Sequence, residues 1–105
     1  MYTTITSPEE FNALIARERP TLVVFGSEDC PACRATKDEL LAFSARWPKL
    51  LSAFVDVDQQ EVIAGQHVGK KIPLLVVFRG GAKLRKRTGQ HSLEEMEEFV
   101  DKALA

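Results

Sequence analysis

The sequence predicts an α/β fold in which a central mixed β-sheet carries helices on both faces. Short runs of β-branched and aromatic residues alternate with amphipathic stretches, the pattern of parallel strands joined by helical crossovers. Near the end, Gly80-Gly81 joins two strands as a tight hairpin, which adds an antiparallel strand at one side of the sheet. We therefore predict the order βαβαβαββα, in one domain covering residues 1–105.

The first half of the chain contains three of the predicted strands and two of the helices. They are an edge strand at 2–6, a helix from Pro8, a central strand at 21–25, a helix at 34–47 and a strand at 50–58. Ser7 and Glu10 form a capping box at the start of the first helix. Leu40, Phe43 and Trp47 recur at helical spacing, and we expect them to share the buried face of the second helix.

For the second half of the chain, the sequence predicts a short helix, a hairpin and a final helix. They lie within 59–69, at 73–78 paired with 83–88, and from Ser92 to the end of the chain. The apolar run at 73–78 is typical of a core strand, whereas the basic run from Lys83 to Arg87 is typical of an edge strand protected against pairing with other chains. Ser92 and Glu95 form a second capping box.

The only two cysteines, Cys30 and Cys33, lie directly after a predicted strand, and Pro31 and Ala32 stand between them. A C-x-x-C that opens a helix in a βαβ protein indicates a redox pair. The unpaired amides of the helix N-terminus favour a thiolate at Cys30, the attacking species, and Pro31 suits the first helical position. Cys33 would then resolve the mixed disulfide. The negative charge of Asp29 opposes the thiolate.

Two other interpretations of the cysteines remain open at this point. A structural zinc site needs four ligands, and the chain offers only His67 and His91 besides the cysteines, both of which we expect at the surface. Two inert core thiols are the other alternative, because free cysteine is often buried. The polar residues around the motif favour a surface loop instead, so we predict a redox pair with no metal and no other cofactor.

Composition excludes several classes of function. The formal net charge is -1, and the basic run has no aromatic residues interleaved for base stacking, so we expect no nucleic-acid binding. The N-terminus lacks a basic stretch followed by an apolar one, and no apolar run approaches the roughly 20 residues of a membrane helix. We therefore predict a cytoplasmic monomer that does not bind membranes.

Four stretches follow one another in the order and spacing of a known family. They are "LVVFGSEDCPAC", "FVDVDQQ", "KKIPLLVVFRGG" and Gly89 before the last helix. Through them the chain resembles the thioredoxin family over nearly its full length. The resemblance implies a thioredoxin fold and a thiol–disulfide oxidoreductase that reduces disulfide-containing proteins. It also implies a thioredoxin reductase or glutathione as the electron donor.

The resemblance also implies a substrate-binding turn at Ile72 and Pro73. In the family this peptide bond is cis and packs against the cysteines, and the residue before the proline pairs with an extended substrate through its backbone. Lys70 and Lys71 directly precede this turn. They are either solvated loop lysines, or they favour acidic substrates and support the thiolate.

The chain departs from the family pattern around the motif. The family usually has Gly-Pro between the cysteines, Trp before the first cysteine, another aromatic residue four positions before it, and a buried Asp and Lys behind the site. This chain has instead Pro31-Ala32, Asp29, Gly26, Val24 and Phe54. Without the buried carboxylate, Cys33 should be harder to deprotonate and resolution slower. The alternative function is therefore a thioredoxin-like binding or chaperone-type module whose redox pair is vestigial or sensory.

Overall fold

The computed structural model describes all residues, 1–105, and contains five strands and four helices in the predicted order. In sequence they are β1 (Thr3–Thr4), α1 (Pro8–Ile15), β2 (Thr21–Gly26), α2 (Pro31–Arg46), β3 (Leu51–Asp56), α3 (Glu61–His67), β4 (Leu74–Arg79), β5 (Ala82–Thr88) and α4 (Leu93–Leu104). None of the four helices has the length and apolar character needed to span a lipid bilayer.

All five strands form one mixed sheet, in the order β1-β3-β2-β4-β5. Strand β3 runs parallel to β1 and β2, whereas β4 is antiparallel to both β2 and β5. As a result β2, β3 and β5 end, and β4 begins, at the same edge of the sheet. We call this the Gly26 edge, after the last residue of β2; Asp56, Leu74 and Thr88 mark it on the other strands.

The sheet separates two hydrophobic cores of ten buried residues each. Val23 and Phe25 of β2 face one core, which includes Phe11 of α1 and Ile63 of α3. The other core lies under α2 and α4, and its members include Leu22 and Val24 of β2. Alternate residues of β2 therefore enter opposite cores. This explains why the sequence of this strand is continuously apolar.

Helix α2 differs from the prediction at both ends. It begins at Pro31, three residues earlier than predicted, and it ends at Arg46. Leu40 and Phe43 are buried as expected, but Trp47 is 44% exposed, so its predicted place on the buried face is wrong. The cause is the C-cap backbone of Trp47 (φ −122°, ψ 65°), which turns out of the helix, and the indole Nε1 donates a 2.6 Å hydrogen bond to Glu97.

The helix caps and the hairpin turn follow the sequence closely. Ser92 and Glu95 form the predicted reciprocal capping box of α4. At α1, Ser7 accepts a hydrogen bond from the Glu10 amide, but the Glu10 carboxylate accepts from the Thr6 amide at 2.7 Å, one residue before the cap. Gly80 and Gly81 have φ of 59° and 81°, the left-handed values that a two-residue hairpin turn requires.

The prediction that both histidines lie at the surface is wrong. His91 is only 4% exposed, and its Nδ1 lies 2.7 Å from the carbonyl oxygen of Gly89. His67 is half-buried, and its Nδ1 is buried without a hydrogen-bond partner. Its ring packs against the aromatic rings of Phe11, Phe25 and Phe78. Burial lowers the pKa of His67, and the positive charge of Lys83 lowers it further.

Candidate redox site

Cys30 occupies the N-cap of the 16-residue helix α2, as the sequence predicts. Its backbone is extended (φ −106°, ψ 110°), Pro31 is the first helical residue, and the Arg34 amide donates to the Cys30 carbonyl at 3.0 Å. The Cys33 amide donates a 3.2 Å hydrogen bond to the Cys30 Sγ. The Cys30 sulfur therefore lies at the positive end of the helix dipole and accepts one of the amide hydrogen bonds available at the helix N-terminus.

Cys33 lies one helical turn further on and is almost completely buried. Its exposed fraction is 1%, whereas Cys30 is half-buried; both are free thiols. The pKa of Cys33 is raised from 9.0 to about 11, mainly by burial and then by its interaction with Cys30. A backbone hydrogen bond from Ser27 and the charge of Arg34 act in the opposite direction. Cys30 is therefore the accessible thiol, and Cys33 stays protonated at neutral pH.

Gly26 provides the space into which Cys33 packs. A Cβ atom at this position would lie 2.9 Å from the Cys33 Cβ and 3.1 Å from its Sγ. It would also lie 3.3 Å from Cε1 of Phe54, so the aromatic ring and the buried thiol approach the same point. The absence of a side chain at Gly26 lets the first turn of α2 lie directly against the end of β2.

The interior behind Cys33 is apolar. Val24 and Phe54 are register partners on β2 and β3, with exposed fractions of 0% and 2%. They stand where the resemblance would place a buried Asp and Lys, and no Asp or Glu is buried anywhere in the structure. The Cys33 thiol therefore has no buried carboxylate that can accept its proton.

Charged groups surround the motif at the surface, and the sequence did not indicate their contacts. The Lys37 Nζ lies 3.1 Å from a carboxylate oxygen of Glu28 and 4.5 Å from the centroid of the Phe54 ring. The buried Ser27 hydroxyl donates a 2.7 Å hydrogen bond to Asp58. Asp29 is exposed beside the motif. Only the spacing in the sequence indicated that Lys37 lies near the motif, because it follows Cys33 by four residues and therefore lies on the same side of α2.

The Ile72–Pro73 turn lies at the Gly26 edge, directly before the Leu74 end of β4. The peptide bond is cis, as the resemblance implies. Pro73 is buried, and its carbonyl accepts a 2.9 Å hydrogen bond from the Gly89 amide. Neither the N–H nor the carbonyl of the half-buried Ile72 makes a backbone hydrogen bond within the chain. Contact between this turn and the cysteines stays a prediction.

A chain of hydrogen bonds connects the loop before α4 to the first turn of α2. The buried His91 amide donates to the Thr36 Oγ1 at 3.3 Å, and this hydroxyl donates to the Ala32 carbonyl at 2.8 Å. The Gly89 amide in the same loop donates to the Pro73 carbonyl, so the loop links helix α2 to the proline turn. Sequence reasoning missed this link, since Thr36 and His91 are 55 residues apart.

Lys70 and Lys71 are both exposed, and they line a cleft of about 560 Å³. The complete lining is His67, Gly69, Lys70, Lys71, Leu74, Lys86, Arg87 and Thr88. No hydrogen bond joins either lysine to Cys30, whose Sγ has the Cys33 amide as its donor. No group of three or more His, Cys, Asp or Glu side chains is arranged to hold a metal ion.

These features define a class of protein. A strand that leads into a helix capped by an accessible cysteine, a second cysteine one turn on and a cis-proline at the same sheet edge are the parts of a thioredoxin-fold thiol–disulfide oxidoreductase. The start of α2, with Cys30, Pro31, Ala32 and Cys33, lies at the same edge of the sheet as the turn at 72–73.

The chain belongs to the thioredoxin family, because residues 2–102 match the family model described as Thioredoxin. It is 30% identical over 88 residues to the thioredoxin of Alicyclobacillus acidocaldarius, covering 83% of this chain and 84% of that one. Thioredoxin-1 of Saccharomyces cerevisiae is 26% identical over 89 residues, which cover 85% and 86% of the two chains.

Solved structures show the same fold. The thioredoxin of Malassezia sympodialis superposes with a TM-score of 0.88 at 20% identity, covering 100% of this chain and 92% of that one. That of Trypanosoma brucei brucei gives a TM-score of 0.89 at 17% identity, with 99% and 91% covered. The predicted family and fold are thus confirmed, and the relatives support oxidoreductase activity at the level of the family.

Proposed function

We propose that this chain reduces protein disulfides through a Cys30–Cys33 dithiol–disulfide couple. The observation that carries the proposal is the hydrogen bond from the Cys33 amide to the Cys30 Sγ at the N-cap of α2. This bond places an accessible sulfur at the positive end of the helix dipole, with a second thiol one helical turn away. On this proposal the whole chain, residues 1–105, acts as one domain.

In the first step the Cys30 thiolate attacks one sulfur of a substrate disulfide. A bond forms between Cys30 and that sulfur, the substrate S–S bond breaks, and the other substrate sulfur leaves as a thiolate that takes a proton from water. The unpaired N–H and carbonyl of Ile72 support docking of an extended substrate segment by backbone hydrogen bonds, with Pro73 fixing the turn.

In the second step Cys33 loses its proton and attacks the Cys30 sulfur. The Cys30–Cys33 disulfide forms, the mixed disulfide breaks, and the second substrate sulfur leaves as a thiolate, so the substrate has gained two electrons and the protein has lost two. The raised pKa of Cys33 makes its deprotonation the demanding part of this step. A thioredoxin reductase or glutathione would return two electrons to the protein.

The apolar interior behind Cys33 favours a second candidate function. With Val24 and Phe54 in place of a proton-accepting group, we expect resolution of the mixed disulfide to be slow. A slowly resolving pair suits a binding or chaperone-type module whose cysteines are vestigial or sensory. In that case Cys30 would still form mixed disulfides, but turnover would be negligible. The cytoplasmic location and the monomeric state stay predictions under both functions.

Turnover with a defined reductant separates the two functions. We expect the protein to reduce a disulfide-bonded protein such as insulin repeatedly, with a thioredoxin reductase and its nicotinamide donor or with glutathione. Cys33→Ser should accumulate one mixed disulfide per molecule, seen by mass spectrometry, and Cys30→Ser should give neither product. Stoichiometric mixed disulfide without turnover in the unaltered protein would contradict the reductase and support the sensory module.

A further inference from the structure

A basic cleft lies at the Gly26 edge and is not used by the thiol chemistry described above. We call it the lysine cleft, after Lys70, Lys71 and Lys86. It is formed by the segment before the proline turn, the start of β4 and the end of β5, and its volume is about 560 Å³. No carboxylate and no Phe, Tyr or Trp side chain is among its lining residues.

The positive charge of the lysine cleft is not neutralised. None of its three lysines is paired with a carboxylate, and all three are exposed. Arg87 also lines the cleft, but the charges of Glu95 and Glu98 on α4 act on it from the other side. The chain as a whole has a net charge of -1, so this concentration of one sign is local. A cleft lined by one sign of charge concentrates ligands of the opposite sign.

The lysine cleft adjoins the position where we expect an extended substrate to bind. Lys70 and Lys71 immediately precede Ile72, whose backbone N–H and carbonyl are unpaired. Successive Cα atoms are about 3.8 Å apart, so both lysines lie within two residues' reach of that backbone. Leu74 of the cleft lining is the register partner of Phe25, near the end of the strand that leads to Cys30.

The opposite side of the motif carries negative charge. Asp29 is exposed on the loop between β2 and α2, Asp58 is exposed after β3, and neither forms an ion pair, whereas the neighbouring Glu28 is paired with Lys37. The Gly26 edge is thus acidic beside the cysteine loop and β3, and basic beside β4 and β5. A polypeptide with acidic residues on only one side of its disulfide would be attracted on the basic side and repelled on the other, which fixes its direction across the site.

We propose that the lysine cleft binds an acidic segment of the polypeptide substrate whose disulfide Cys30 attacks. This inference rests on the proposed function and specifies its substrate class. An extended chain advances about 3.3 Å per residue. The acidic residues of the substrate would therefore lie within about four residues of the substrate residue that pairs with Ile72. A nucleic-acid ligand fits less well, since the cleft has no Phe, Tyr or Trp side chain for base stacking and the ring of His67 packs against three Phe rings.

The test uses two disulfide-bonded peptides that differ only in charge. One carries Asp and Glu beside its cysteines and the other carries Asn and Gln at the same positions. We expect the unaltered protein to favour the acidic peptide roughly tenfold in kcat/KM at low salt, a preference that should shrink near 1 M salt where charges are screened. Replacing Lys70, Lys71 and Lys86 together by Gln should bring the ratio of the two kcat/KM values close to one.

A matched control removes the same total charge elsewhere. Lys49→Gln, Arg79→Gln and Lys102→Gln together alter three exposed cations outside the lysine cleft, and this variant should keep the preference. Equal rates for the two peptides in the unaltered protein would overturn the inference and leave the reductase intact. Loss of the preference in the control variant as well would also overturn it, because the effect would then be one of net charge.

Binding of a cysteine-free acidic peptide tests the inference independently of turnover. If neither disulfide peptide is reduced, the proposed function fails, while fluorescence anisotropy still reports on the cleft. We expect salt-sensitive binding of the labelled acidic peptide to the unaltered protein and to the control variant, and a large loss in the Lys70, Lys71 and Lys86 variant. Absent binding, or displacement by a single-stranded oligonucleotide that binds more tightly than the peptide, would contradict an acidic polypeptide ligand.

Discussion

The two cysteines stand one helical turn apart, yet the solvent side and the interior side of the motif differ sharply. On the solvent side, the Cys30 Sγ accepts an amide hydrogen bond at a helix N-terminus and lies at the same sheet edge as the unpaired backbone of Ile72. On the interior side, Cys33 is 1% exposed and packs against Gly26, close to Phe54. Under the proposed function, the solvent side therefore suits attack on a disulfide, whereas the interior side offers no buried carboxylate to accept the Cys33 proton.

Removing the sulfur on the solvent side should have the largest effect. Cys30→Ser replaces the only accessible thiol, so we expect disulfide reduction to fall by roughly a thousandfold or more, to background. Cys33→Ser should keep the first step and release about one equivalent of leaving thiol per protein. The check is stopped-flow absorbance with an aromatic disulfide, and an unchanged first phase in Cys30→Ser would contradict the assignment of the nucleophile.

Placing a carboxylate on the interior side should remove the difference between the two sides of the motif. Val24→Asp introduces a proton acceptor on the face of β2 that α2 covers, and we expect the resolving step at neutral pH to accelerate by roughly a hundredfold. The free energy of unfolding should fall by a few kcal/mol, because a charged group is buried. Val24→Asn is the control: equal acceleration by Asn would show that polarity, and not proton transfer, limits resolution.

The raised pKa of Cys33 predicts a loss of stability at alkaline pH. The pKa of Cys33 is 9.0 in the unfolded chain and about 11 in the folded protein, so the folded protein holds the thiol proton more tightly. The resulting stabilisation is complete below pH 9.0 and is lost as the pH rises to about 11. The loss should approach about 2–3 kcal/mol in the reduced protein, since each pKa unit corresponds to about 1.4 kcal/mol. Urea unfolding at several alkaline pH values should show this loss relative to Cys33→Ala; parallel curves for both proteins would contradict it.

Filling the space at Gly26 should give the smallest effect. A Cβ there would lie 2.9 Å from the Cys33 Cβ, so the start of α2 must shift, and we expect Gly26→Ala to lower the free energy of unfolding by about 1–3 kcal/mol. Gly65→Ala in α3 is the matched control, because nothing lies within 4 Å of its added Cβ. It should stabilise the protein by up to about 1 kcal/mol. Thermal unfolding distinguishes them, and equal shifts for both would contradict the close contact.

Much of the fold was predictable because local sequence and long-range packing agree. The central residues of β2 (22–25) and of β4 (74–78) are apolar, because each strand contributes side chains to both cores. The caps at Ser7 and Ser92 fix the starts of α1 and α4. Trp47 was misplaced because helical spacing continues through it, whereas the backbone leaves the helix one residue earlier. Periodicity does not reveal where the backbone of a C-cap turns.

The place of the two cysteines at the start of α2 was predictable, but the surroundings of the histidines were not. The position of Cys30 follows from strand, cysteine and proline in direct succession. In contrast, the buried His91 donates its amide hydrogen to Thr36, and the half-buried His67 packs against three Phe rings from α1, β2 and β4. Such contacts depend on how distant elements pack, and a single sequence contains no local signal for them.

The pH dependence of the resolving step shows whether deprotonation of the buried Cys33 thiol limits its rate. The reduced protein is mixed with 5,5′-dithiobis(2-nitrobenzoate), and the two equivalents of released thiolate are followed separately, the first from attack by Cys30 and the second from attack by Cys33. Burial, the largest cause of the raised Cys33 pKa, persists in the mixed disulfide, where the contributions of the Cys30 thiol are absent. We predict a distinct second phase whose rate rises about tenfold per pH unit from about pH 7 to 9 without a plateau. A second phase as fast as the first, or a plateau below about pH 8, would contradict a resolving step limited by the buried Cys33 thiol.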